Sequence, residues 1–136
     1  MEQAGAQRYL LMAEAYGAAG ANVLAAGGDQ TQAPFYMLVA HTIELALKSL
    51  LLAHGDDAEL MILMGHNLDS CLRRVMRLDV IQGASDIEAV VEALTMPHSA
   101  QSFRYPGFAL RDLPEPGEAL AAALKITEIA RAKVAD

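Results

Sequence analysis

The sequence predicts an all-α fold, an up-and-down bundle of four to five main helices in a single domain over residues 1–136. Three observations lead there. The stretch from Phe35 to Gly55, FYMLVAHTIELALKSLLLAHG, is apolar on almost every face, with Glu44 and Lys48 the only charges up to Ala53. A helix apolar all round must bury itself on several sides, which is the position of a central bundle helix. Elsewhere apolar residues recur at helical spacing between glycines, prolines and capping residues, and no alternating run long enough for a strand occurs.

The elements follow in order. A first helix is expected from about Gln3 to Ala26, with Tyr9, Met12, Tyr16, Ala19 and Val23 stepping by three and four along one stripe. Gly17 and Gly20 inside it cost helix propensity and point to close approach of a neighbouring helix. Gly27 and Gly28 stop it. Asp29 or Thr31 caps the central helix, Pro34 sits in its first turn, and the helix runs to about Ala53. A short connection between two long helices makes them antiparallel. After an Asp56–Asp57 turn, Ala58 to Met64 forms one or two helical turns, broken by Gly65. Asn67 caps the next helix, Leu68 to about Leu78, with Leu68, Leu72 and Val75 inward and Arg73, Arg74 and Arg77 outward. Ser85-Asp86-Ile87-Glu88 reads as a capping box for a helix with Ile87, Val90, Val91 and Leu94 inward, ending at Pro97. His98 to Gly117 then reads as a long loop, and such loops in compact domains are often functional. The last helix spans about Pro116 to Val134, with Leu120, Leu124, Ile126 and Ile129 as core.

Composition narrows the function classes. Apolar residues make up 54% and charged residues 20%, which argues against disorder. A net charge of −7 disfavours a general nucleic-acid binder, since nonspecific binding relies on neutralised phosphates. Aromatic content of 5% with no tryptophan leaves few platforms for stacking single strands. A single cysteine, Cys71, rules out a disulfide within the chain and fits a reducing compartment. No basic N-terminal region precedes an apolar run, and the apolar runs read as interrupted or too short to span a bilayer. A cytoplasmic protein with no membrane partner is therefore expected.

Several residues are candidates for chemistry. His41, Glu44 and Lys48 share one face of the central helix, with Glu44 and Lys48 in the favourable order for an ion pair. They form either that helix's polar strip or the floor of a cleft or self-association surface. His66-Asn67 opens the following helix, as a polar start and cap or as part of an anion site. The cluster Arg73, Arg74 and Arg77 reads first as a solvated face near a helix C-terminus and second as a phosphate contact. In Phe103-Arg104-Tyr105-Pro106, an arginine between two aromatics either binds a phosphate or carboxylate or pairs with an acidic neighbour while the rings pin the loop. No phosphate-binding glycine loop, no His pair flanking a Glu at metalloprotease spacing and no nucleophile elbow is present, so neither a cofactor nor a metal is expected. Cys71, beside an apolar stripe, reads as a structural thiol.

Taken together, Ile43-Glu44-Leu45-Ala46-Leu47-Lys48 with Leu51, Gly65-His66-Asn67-Leu68 with Leu72, and Phe103-Arg104-Tyr105-Pro106 resemble the HEPN family, the higher eukaryotes and prokaryotes nucleotide-binding domain. The resemblance covers roughly Ala33 to Pro106. It implies an α-helical bundle, often dimeric. Many members look like ribonucleases of toxin or defence systems, others pair with minimal nucleotidyltransferases, and some only bind. Ribonuclease members carry an Arg followed four to six residues later by His, and none of the seven arginines here is so followed. The nearest arrangement is inverted, with His98 preceding Arg104.

The expectation is thus a HEPN-like domain without the usual ribonuclease motif. It would be a nucleotide- or RNA-binding or nucleotidyltransferase-partner module, acting as a homodimer and more a binder than an enzyme. Its ligand site would comprise His41, Glu44, Lys48, His66, Arg104 and Tyr105, if the late loop folds back on the central helix. The alternatives are a ribonuclease using His98 and Arg104, and a purely structural dimerisation subunit joined through the first or central helix.

Overall fold

Apolar side chains all round one helix leave it stable only where they are covered on several sides, and here other helices supply that cover. The computed structural model describes residues 2–28, 31–82, 84–105 and 110–134. Among them are six helices and no strand: α1 (Glu2–Ala26), α2 (Gln32–Ala53), α3 (Ala58–Met64), α4 (Leu68–Arg77), α5 (Ser85–Ser99) and α6 (Pro116–Val134). The chain is all-helical, and its helices pack as a bundle. α2 lies in the middle, against α1, α4, α5 and α6. Every residue from Thr42 to Leu52 is buried. Each fully buried leucine or isoleucine there contributes about 1.5–3 kcal/mol of transfer free energy. By length and composition α2 would also suffice to cross a membrane, against the reading of its run as too interrupted; 83% of its most apolar window is buried inside the fold.

α1 and α2 run antiparallel, as their short connection requires. Gly5 lies beside Leu52, Gly17 beside Thr42, and Gly20 beside Leu38 and Val39. A methyl group at Gly17 would stand 3.4 Å from both Thr42 and Leu124, so this glycine admits α2 and α6 together. The buried stripe of α1 is Ala6, Leu10, Ala13, Gly17 and Gly20, one position away from the expected Tyr9–Val23 stripe. The larger residues flank the seam instead: Tyr9, Tyr16 and Val23 are partly buried, and Met12 is 47% exposed. Small residues win the seam because they let the backbones approach. The same holds on α6, where Ala119, Ala122, Ala123, Ile126 and Ala130 are buried and the expected core residue Leu124 is 41% exposed.

The caps decide where the short elements begin. Asp57 Oδ1 accepts from the Leu60 N–H at 2.9 Å and starts α3. Asn67 Oδ1 accepts from the Ser70 N–H at 3.0 Å and starts α4, as expected. Thr31 occupies the N-cap of α2, but its hydroxyl donates back to the Gly28 carbonyl at 2.7 Å and does not cap; Asp29 lies outside the described residues. The expected Ser85–Glu88 capping box does not form. Ala84 is the N-cap and Ser85 is already helical.

The end of α5 also differs from expectation. Pro97 lies inside the helix, which continues to Ser99, so His98 is a buried residue of its last turn and not the start of a loop. Proline lacks an N–H and its ring crowds the carbonyl one turn back, but Pro97 stands two residues from the helix end and the last turn is held by other bonds. The Ala100 N–H reaches the Met96 carbonyl, and the Ser102 N–H reaches the Pro97 carbonyl at 2.8 Å.

Candidate functional site

Glu44 organises the site. Its position on α2 lies four residues before Lys48, so the two side chains meet on one helix face, Nζ to Oε2 at 3.0 Å. Lys48 also donates to the Gly65 carbonyl at 2.7 Å, which ties the α3–α4 turn to α2. That turn carries His66, whose Nδ1 lies 3.0 Å from Glu44 Oε1. From α5, His98 Nε2 reaches the same oxygen at 2.8 Å. An ionised carboxylate only accepts, so both ring nitrogens donate. Ser99 closes the ring of bonds by donating to the His66 carbonyl at 3.0 Å.

A buried carboxylate is tolerated only when such partners replace its water. Burial by itself would push the Glu44 carboxyl up. The hydrogen bonds from His98 and His66, with the charge and hydrogen bond of Lys48, outweigh it and hold the group at about 2.

His41 stands one turn before Glu44 on the same face. Its ring packs edge-on against Tyr16 of α1, with centroids 4.6 Å apart at 87°, and lies 6.3 Å from the His98 ring. Its Nδ1 is buried without a hydrogen-bond partner. Burial lowers its pKa, Glu44 raises it, and the charges of His98, Arg104 and His66 lower it further. The net direction is down, which keeps the ring neutral near pH 7. One ligand atom each from His41, Glu44 and His98 lie within 4.8 Å of one another.

The segment after α5 folds back on α2. Phe103 is buried and stacks on Tyr36, centroids 5.9 Å apart and 23° between planes. Arg104 is exposed at the edge, close enough for its charge to act on His41. Tyr105 is 59% exposed and does not pin the segment; Pro106 lies outside the described residues. Of the ligand-site residues expected from sequence, His41, Glu44, Lys48 and His66 therefore come together with His98, Arg104 borders them, and Tyr105 stands apart from the buried cluster.

Three contributors escaped the sequence reading: Tyr16, Ser99 and the Gly65 carbonyl. Tyr16 stood in the proposed core stripe, and nothing in its spacing marks it as a wall for His41. The Glu44–His98 bond spans 54 positions, and no local periodicity signals it. Two arginines of the cluster on α4 have acidic partners. Arg74 binds Asp56 through two bonds of 2.6 and 2.8 Å, and Arg73 pairs with Asp69 at 3.1 Å in the open. Cys71 is fully buried and its thiol is pushed up to about 11, as befits an unreactive core residue.

Comparison with family models, curated proteins and solved structures finds no match for the chain. The chemistry has to be read from the cluster itself: one buried carboxylate, three imidazoles, an ammonium and a bordering guanidinium.

Proposed function

We propose that the chain is a HEPN-like helical domain that binds a nucleotide, an RNA end or another phosphate-bearing ligand at the His41–Glu44–His66–His98 cluster, with Arg104 at its rim. The observation that carries this reading is convergence. The Glu44–Lys48 helix, the Gly65-His66-Asn67 turn and the segment bearing Arg104 are the three stretches that resemble the family, and the first two meet at Glu44 while the third folds back on α2 through Phe103 stacked on Tyr36. Glu44 serves as the buried anchor that orients imidazoles from two other elements. Arg104, free of an ion pair among the described residues and forked for two-point contact, supplies the charge a phosphate requires. A net charge of −7 makes any such binding local to this face.

Binding is favoured over hydrolysis because the His98 side chain is 4% exposed and its Nε2 is engaged by Glu44. A general base has to reach the proton it removes.

The test is fluorescence anisotropy with labelled short RNAs and nucleotides, comparing wild type with Arg104→Ala. Because Arg104 is exposed, the variant should keep its thermal stability while binding weakens about 10-fold, the equivalent of one charge-assisted contact. Absence of binding across the panel, or equal binding by the variant, would sink the reading. Cleavage of the same RNAs, abolished by both His98→Ala and Arg104→Ala, would replace it with a ribonuclease built on that pair.

A further inference from the structure

We propose that His41, Glu44 and His98 form a site for a divalent transition-metal ion of the zinc class. The cluster leaves one buried polar atom, His41 Nδ1, unsatisfied. Glu44, Lys48, His66 and His98 are joined by hydrogen bonds that engage both oxygens of Glu44. His41 is not part of this network. Its Nδ1 is buried against Tyr16 with nothing to accept from or donate to, though it lies one helical turn from a carboxylate. Buried polar atoms are ordinarily paired, and a histidine with an orphan ring nitrogen, whose ring also offers a ligand atom within 4.8 Å of a carboxylate and a second imidazole, is the kind of donor that a metal ion completes.

The donor set and spacing suit zinc. Two imidazoles and one carboxylate, with a fourth position open, is a recurrent three-ligand zinc set. The three ligand atoms lie within 4.8 Å of one another. Tetrahedral bonds of about 2.0–2.1 Å place ligand atoms about 3.4 Å apart. The His98 Nε2–Glu44 Oε1 pair, now at 2.8 Å, opens slightly to reach this, and the His41 ring, which no hydrogen bond holds, turns inward.

The second layer of contacts is already present. Lys48 fixes Glu44 Oε2 and so presents Oε1 alone, and His66 keeps its bond to that oxygen from the side. On binding, His98 gives up its Nε2 proton and holds one proton on Nδ1, by shift to the other tautomer when neutral or by release of one proton to solvent when cationic, so that the neutral ring offers its Nε2 lone pair to the metal.

The site is read with metal alone, so it stands or falls apart from the phosphate ligand. Chelator-treated protein is titrated with Zn²⁺ by calorimetry in the absence of RNA and nucleotide, and with Co²⁺ by visible absorption. The comparison is His41→Phe, which keeps a ring against Tyr16 and leaves the Glu44 hydrogen bonds in place. Wild type should bind one equivalent of Zn²⁺, raise its melting temperature, and give the intense Co²⁺ absorption of a four-coordinate site. His41→Phe, with unchanged helicity, should lose more affinity than the about 10–100-fold typical of removing an outer-shell partner. Failure of wild type to bind Zn²⁺, or equal binding by His41→Phe, overturns the proposal.

Discussion

Lys48 neutralises Glu44, the one acidic side chain buried among the described residues, and at the same time holds the turn that brings His66 to it. Both partners of the pair are about 5% exposed, so solvent does little to screen them. Replacing Lys48 with Met keeps the stem's packing but strands Glu44 Oε2, and truncating one partner of a buried pair costs about 3–5 kcal/mol. Urea unfolding of Lys48→Met should show a loss of this size; a change under about 1 kcal/mol would mean the two histidines suffice for Glu44. At this scale the sequence was informative wherever partners were near in the chain. The i, i+4 spacing of Glu44 and Lys48 and the capping role of Asn67 were readable directly. His98 was not, because Pro97 marks a helix end by local rules, while α5 carries on for two residues past it and buries His98 against Glu44.

Between elements, the main polar clamp besides Glu44 joins the turn after α2 to α4. Arg74 grips both oxygens of Asp56, and these bonds hold the Asp56 carboxyl below its ordinary range against a smaller upward push from burial. A depressed native pKa gives stability that is fully present above the unfolded value of about 3.9 and is lost as pH falls through the native one. Asp56→Asn should therefore lower stability at pH 7, and the gap to wild type should close as the pH is taken below 3.9 in a urea series. A gap that stays constant down to strong acid would show that the carboxylate's charge plays no part. Helix extents were largely readable from the sequence, since glycines and prolines punctuate them. The seam of α1 was not: alanine and glycine carry little hydrophobic signal, so Tyr9, Met12 and Tyr16 drew the eye one position away from Ala6, Ala13 and Gly17.

For the molecule as a whole, an all-helical bundle around α2 was foreseeable because a helix apolar all round needs cover on several sides and the rest of the sequence offers helical periodicity and no strand pattern. The family resemblance put His41 and His66 in one site, but the entry of His98 was not foreseeable, since it depends on which ends of α2, α4 and α5 meet. The small-residue seam has a further consequence. α1 approaches α2 closely, yet its buried positions are mostly alanine and glycine, with Leu10 the one large side chain among the described residues buried there. Close backbones here remove little apolar surface from water, whereas α2 buries nearly all of its own. Native-state hydrogen exchange should reveal this as two classes of amide. Those of α1 should exchange through a partial opening that leaves the rest folded, and those of α2 between Thr42 and Leu52 only when the entire chain unfolds. Equal protection of the two helices would mean that α1 adheres as strongly through contact as α2 does through burial.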